Sequence, residues 1–170
     1  DMVTGNEIIV KDGNEGKKFV TLDGVEHTLS EHDLAICNSE EPMCIAGVFG
    51  GKGSGTYETT KNIVLEAAQF HPTWIRKSAR RHGLSTDASF RFERGIDPEG
   101  TIYALKQAAL LCKELAGGEI SMEICDVNPK PFEPARVSLK YNYINSLIGK
   151  EIGVDTIKKI VESLEMKIDS

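Results

Sequence analysis

The spacing of apolar residues changes character at Pro72, and that change constrains the fold of this chain more than any other feature. Before it, apolar residues come in short continuous runs: Glu7-Ile8-Ile9-Val10, Phe19-Val20-Thr21-Leu22, Leu34 to Cys37, Met43 to Phe49 and Ile63 to Phe70. Such runs, separated by Gly and polar residues, predict strands covered on both faces. Asp23-Gly24 signals a two-residue hairpin turn in which both central positions favour φ > 0. From Pro72 onward the period is helical. Proline suits a first helical turn; Ile75, Ser78, Ala79 and His82 then share one face, Arg76, Lys77, Arg80 and Arg81 form a basic stripe, and Gly83 ends the helix. A longer helix is predicted from the Asp97-Pro98 cap to Gly117-Gly118. Its two adjacent stripes, Ile102, Leu105, Ala109 and Cys112 beside Ala104, Ala108, Leu111 and Leu115, imply burial between other elements. A strand from Ile120 to Val127 follows. The predicted class is α+β, mixed sheet layers with packed helices.

Three of the six prolines fall in Asn128-Pro129-Lys130-Pro131-Phe132-Glu133-Pro134, a composition that favours semi-rigid extended backbone. This places a linker over 129–135, between a domain at 1–128 and a small α+β module at 136–170. That module should hold Val137-Ser138-Leu139, a helix ending at Gly149, and a helix capped by Asp155 and running through Leu164. With 170 residues the chain can bury one good core plus a small second one. The abrupt opening at Asp1 and Met2 suggests an internal piece of a longer protein.

The formal net charge of −6 repels phosphate backbones on average, so nucleic-acid contact requires a local basic patch. No apolar run approaches the roughly 20 residues of a membrane helix, and no signal-peptide core is visible. Cys37, Cys44, Cys112 and Cys125 lack zinc or disulfide-framework spacing and read as buried, reduced thiols in a cytoplasmic protein.

Gly47-Val48-Phe49-Gly50-Gly51-Lys52-Gly53-Ser54-Gly55 is not a phosphate loop. Ala46 stands where its first glycine belongs, and Gly53 where its hydroxyl belongs. It is either a tight structural turn or a loop whose bareness admits a ligand. Glu66 lies in the middle of a predicted strand, on the face of Val64, Ala68 and Phe70. A carboxylate there needs a partner: either an ion pair with Arg91 or Arg94, or a ligand it reads at the bottom of an apolar pocket. Residues 76–94 carry six basic side chains against two acidic ones. That cluster is a solvated face, a salt-bridge knot of Arg91, Glu93 and Arg94, or an RNA contact. The small side chains of Ser85, Thr86, Ala88 and Ser89 suit a pocket wall or a tight loop. His27, His32, His71 and His82 fall in turns or at element ends, as surface or capping residues, and no catalytic triad can be defended.

Four ordered motifs carry a resemblance. Ile45-Ala46-Gly47-Val48-Phe49-Gly50-Gly51, Asn62-Ile63-Val64-Leu65-Glu66-Ala67-Ala68, Ala79-Arg80-Arg81-His82-Gly83-Leu84, and Thr86-Asp87-Ala88-Ser89 with Arg91-Phe92-Glu93-Arg94-Gly95-Ile96-Asp97-Pro98 together resemble the B3/B4 domain of bacterial-type phenylalanine–tRNA ligase β subunits. The likeness runs from Asp1 to about Asn128. From about Arg136, with Ile144, Leu147, Ile148 and Gly149, the chain resembles the opening of the B5 domain, which is similar to DNA-binding folds, although no DNA is expected as a partner.

The resemblance implies hydrolysis of tyrosine wrongly esterified to the phenylalanine tRNA. By motif, Glu66 corresponds to the residue that reads the tyrosine phenol, Thr86 and Ala88 to the pocket wall, and Gly50 to the glycine that leaves room for the aminoacyl group. It also implies an α-subunit partner in an α2β2 heterotetramer and the phenylalanine tRNA as partner. ATP and magnesium would belong to the whole enzyme's synthetic centre, with no cofactor or metal in this segment. A histidine, a threonine and an arginine that the family uses for editing are not in this sequence, so the isolated segment is expected to be inactive. The competing expectations are a non-catalytic, RNA-proximal scaffold and an aminoacyl-tRNA binding module.

Overall fold

The computed structural model describes residues 3–129 and 131–169. It divides into two compact units, Asp1–Asn128 and Pro129–Ser170. Unit one begins with six short strands: β1 (Ile9–Lys11), β2 (Lys18–Val20), β3 (Glu26–Thr28), β4 (Ala35–Cys37), β5 (Pro42–Ile45) and β6 (Phe49–Gly50). Three helices follow, α1 (Pro72–His82), α2 (Asp87–Phe92) and α3 (Gly100–Ala116). The strands make a four-stranded sheet in the order β1-β4-β5-β6 and a separate β2-β3 hairpin, antiparallel at every pairing. This is an α+β architecture.

The hairpin differs from its predicted form. Thr21 and Val25 close a three-residue loop through Thr21 N to Val25 O at 3.0 Å, and Gly24 N reaches Thr21 O at 2.8 Å. Only Gly24 takes positive φ, at +83°, the pattern of a turn followed by one left-handed residue. Asp23 works through its side chain instead, accepting from Val25 N at 3.2 Å and from Thr21 Oγ1 at 2.5 Å.

The run Met43 to Phe49, expected as one strand, folds back on itself. Ile45 pairs with Phe49 across a turn whose Gly47 has φ +65°. A Cβ at Gly47 would lie 2.9 Å from both Ile75 Cδ1 and Phe70 Cδ2. The turn therefore needs glycine twice over, for its backbone and for its closeness to the core. Ile45, Ala46 and Val48 enter that core with Phe19, Leu29, Ile36, Phe70, Ile75 and Ala79. Strand β4 is buried at all three residues, as continuous apolar runs predict.

Helix α1 has the predicted limits. Pro72 sits in its first turn, Ile75, Ser78 and Ala79 are buried, and Gly83 ends it in the left-handed conformation. Helix α3 starts at Gly100, three residues after Asp97, whose carboxylate accepts from Glu99 N at 3.0 Å in a preliminary turn. The expectation that α3 is buried fails: none of its residues is buried, and Leu115 is 80 % exposed. The predicted strands 63–70 and 120–127 also carry no ladder among the described residues; Phe70 is held in the core, but Ile63, Val64, Ile120, Met122 and Val127 stay open. An apolar run becomes a strand only when a neighbouring edge takes up its N–H and C=O groups.

Unit two contains α4 (Tyr141–Ile148) and α5 (Val154–Ser163). Gly149 ends α4 as predicted. Asp155 is not the cap of α5; Gly153 holds that position and Asp155 lies in the first turn. Residues 137–139 form no strand. Asn145 Oδ1 accepts from Ile152 N at 3.0 Å, joining the two helices through their loop, and Ile157 is buried. No described helix is long and apolar enough to cross a membrane.

Candidate functional site

Three stretches of unit one converge on a single open cavity of about 580 Å³. The β5–β6 turn gives Cys44, Gly47, Val48, Phe49 and Gly50; the extended stretch before α1 gives Glu66 to Ala68 and Phe70; α2 gives Asp87, Ala88 and Phe92, with Thr86 as its cap. The four residues singled out in the sequence, Gly50, Glu66, Thr86 and Ala88, thus line one space. The lining is largely apolar, the character of a site that buries a small hydrophobic group. Phe70 and Phe92 meet at a centroid distance of 5.1 Å and form its aromatic side.

Thr86 holds two walls together. Its hydroxyl donates to Val48 O at 2.7 Å and accepts from Ser89 N at 3.0 Å, while Ser89 Oγ accepts from Thr86 N at 3.0 Å. The reciprocal pair is a capping box, and the bond to Val48 fastens α2 to the glycine turn. With its proton committed to Val48 O, the Thr86 hydroxyl is no free donor to the cavity. Gly50 has ordinary backbone; a Cβ there would lie 3.1 Å from Leu22 Cδ1. A large side chain at 50 must displace the hairpin tip or turn into the cavity.

Glu66 is the exceptional member. It is not in a strand, and among the described residues it makes neither an ion pair nor a hydrogen bond. Of the two alternatives, the pairing with Arg91 or Arg94 is absent among the described residues: Arg94 bonds Glu93 Oε1 at 2.9 Å and Phe90 O at 2.7 Å, and its guanidinium lies 3.5 Å from the centroid of the Phe90 ring. Arg91 takes no part in an ion pair among the described residues, so the predicted knot reduces to Arg94 and Glu93. Apolar surroundings push the Glu66 carboxyl above its ordinary range, although the open cavity leaves the residue accessible to solvent. Solvent access and loss of hydration coexist because water can reach the group but few polar atoms surround it.

Cys44 shares the cavity, and no sequence signal distinguished it. Burial first, and then the charge of Glu66, push its thiol up to about 12, so it stays protonated at neutral pH and is not a thiolate nucleophile. Cys37 is buried as predicted, but Cys112 is half-buried and Cys125 exposed. Asp87, Phe92 and Ala104 also join the lining without having been singled out for it.

A second polar cluster lies at the C-terminal end of α1. Asp33, fully buried, accepts from Ser30 N at 2.8 Å and Ser78 Oγ at 2.8 Å, pairs with Arg81, and meets His82 Nε2 at 2.6 Å. The His82 ring is therefore an interior hydrogen-bond partner of Asp33, at the end of α1 but not a surface or capping residue as the sequence suggested; it stands edge-on to His27 at 5.3 Å. Burial pushes the Asp33 carboxyl up, but the bonds from Ser30, His82 and Ser78 outweigh it and hold it below its ordinary value.

Comparison with known proteins points one way. A family model described as the B3/4 domain matches residues 1–117. The chain is 65 % identical over 166 residues to the phenylalanine–tRNA ligase beta subunit of Bacteroides thetaiotaomicron, covering 98 % of this chain and 20 % of that protein. It is 49 % identical over 167 residues to that of Porphyromonas gingivalis, with 98 % and 20 % covered. For Syntrophus aciditrophicus the figures are 44 % over 162 residues, 95 % and 20 %. The chain spans about a fifth of the length of these relatives.

Proposed function

Because the chain belongs to the B3/4 domain family, we propose that it forms the discriminating part of a hydrolytic editing site in a cytoplasmic phenylalanine–tRNA ligase beta subunit, where tyrosine wrongly esterified to the phenylalanine tRNA is released. The observation that carries this reading is Glu66, an unpartnered carboxylate on the wall of an apolar cavity. Such a group lacks what a structural carboxylate has, a donor; a tyrosine phenol supplies one. Phenylalanine would leave the group desolvated and unpaired, which makes the discrimination steep.

A second site is needed because an apolar synthetic pocket rejects an added hydroxyl only weakly. At the editing site a water adds to the ester carbonyl carbon and the ester C–O bond breaks. Tyrosine leaves as its carboxylate and the tRNA regains its terminal ribose hydroxyl. The cavity's part is orientation: Phe70 and Phe92 flank the ring, the Gly47–Gly50 turn makes room beside it, and Glu66 fixes the phenol. Neither a thiolate nor a metal is assigned to this step. The α subunit, within an α2β2 assembly, would carry the synthetic reaction with its ATP and magnesium.

The test is Glu66→Ala in the full-length subunit within its assembly. Hydrolysis of tyrosyl-tRNA should fall about 10- to 100-fold, the worth of one charge-assisted hydrogen bond, and preference over phenylalanyl-tRNA should shrink with it. Equal slowing of both substrates, or no change in either, would overturn the reading.

A further inference from the structure

The outward side of α1 has no role in the cavity. Ile75, Ser78 and Ala79 face the core, which turns Arg76, Lys77 and Arg80 to solvent. Lys77 and Arg80 make no ion pair among the described residues. Arg76 donates to Glu93 O at 3.0 Å, a neutral acceptor that leaves its charge uncompensated. Arg81 leans on Asp33 but keeps 31 % of its side chain exposed. On the same stripe, three residues before Lys77 and seven before Arg81, stands Trp74, the chain's single tryptophan, 47 % exposed. His32 meets its ring edge-on at 6.2 Å and leaves a substantial part of the indole open.

We propose that this face of α1, Trp74 with Arg76, Lys77, Arg80 and Arg81, docks the RNA strand whose aminoacyl end enters the cavity. Residues 76–94 carry an excess of four positive charges in a chain of net charge −6, so a polyanion is the partner whose charge complements this surface. RNA is favoured among polyanions because an exposed indole offers a base a surface to stack on, at the head of a stripe of cations that take the phosphates. Position supports the choice: α1 ends at Gly83, three residues before Thr86 of the cavity wall, so a strand held on α1 is held close to the site. The proposal rests on the editing reading for its choice of tRNA.

The test measures binding of uncharged phenylalanine tRNA to the full-length subunit in its assembly, over a series of salt concentrations. Uncharged tRNA carries no ester, so the outcome is independent of whether Glu66 reads tyrosine. Replacing both Lys77 and Arg80 with Ala should weaken binding about tenfold or more and flatten the salt dependence by about one to two phosphate contacts. Trp74→Ala should weaken binding with the salt slope unchanged, and Trp74→Phe should recover part of the loss. Arg80→Lys, which keeps the charge, should retain the wild-type slope. Unchanged affinity and slope in the double variant would overturn the proposal. So would loss of subunit assembly with tRNA affinity intact, which would assign the face to a protein.

Discussion

The role proposed for Glu66 comes at a cost in stability, and the sign of that cost is measurable. Its pKa in the folded chain is raised above the ordinary 4.5 by loss of hydration. Folding therefore favours its neutral form: the contribution to stability is complete below the unfolded value and is lost as pH rises through the folded one. Glu66→Gln should raise the melting temperature at pH 7 and leave it nearly unchanged well below pH 4.5, while lowering the preference for tyrosyl-tRNA. A melting temperature at pH 7 that falls instead would mean that Glu66 has a favourable partner. The sequence pattern set this carboxylate in the middle of a strand that does not form, and left open an ion pair or a ligand as its partner. Choosing between them required knowing where Arg91 and Arg94 go, and Arg94 goes to its own helix turn and to Glu93.

Among the elements, α1 depends most on a single side chain. Asp33 joins the 29–34 loop to Ser78, Arg81 and His82 through one buried carboxylate. Its pKa is held below the ordinary 3.8, the opposite sign to Glu66. Its contribution is thus present above the unfolded value and lost as pH falls through the lowered folded one. Asp33→Asn should cost about 3 kcal/mol at pH 7, in the range for breaking a buried ion pair, and the gap to the wild type should narrow below about pH 4; thermal melts across pH 3 to 8 would show it. A pH-independent gap would mean that shape and not charge holds α1 in place. The limits of α1 were readable because Pro72 and Gly83 are local signals. The Asp33 cluster was not, because it joins residues 45 to 49 positions apart and no local pattern encodes such a pairing. The fold-back at Gly47 was hidden for a related reason: Met43 to Phe49 is uniformly apolar, since both arms and the turn are packed, and only the glycine marks the bend.

At the scale of the whole molecule, the sheet residues and α1 form the core of unit one while α3 lies outside it. Apolar periodicity predicted a buried α3, and the periodicity is real; its stripe of Ile102, Leu105, Ala109 and Cys112 is only half-buried, and no residue of the helix is fully enclosed. Leu110, Leu111, Leu115 and Tyr103 are exposed along that helix, and Ile120, Met122 and Val127 follow it. Their consequence lies in handling. A polypeptide of these 170 residues should brighten an apolar dye such as ANS in its native state, hold to a phenyl resin at moderate salt, and elute from a sizing column later or broader than its mass predicts. Leu111→Lys with Leu115→Lys should reduce dye emission by a third or more of its native value, by order of magnitude, without lowering the melting temperature, since neither side chain is buried. A large drop in melting temperature would reveal a packed face. The helix that looks most like core from its sequence is, in this chain, its adhesive side.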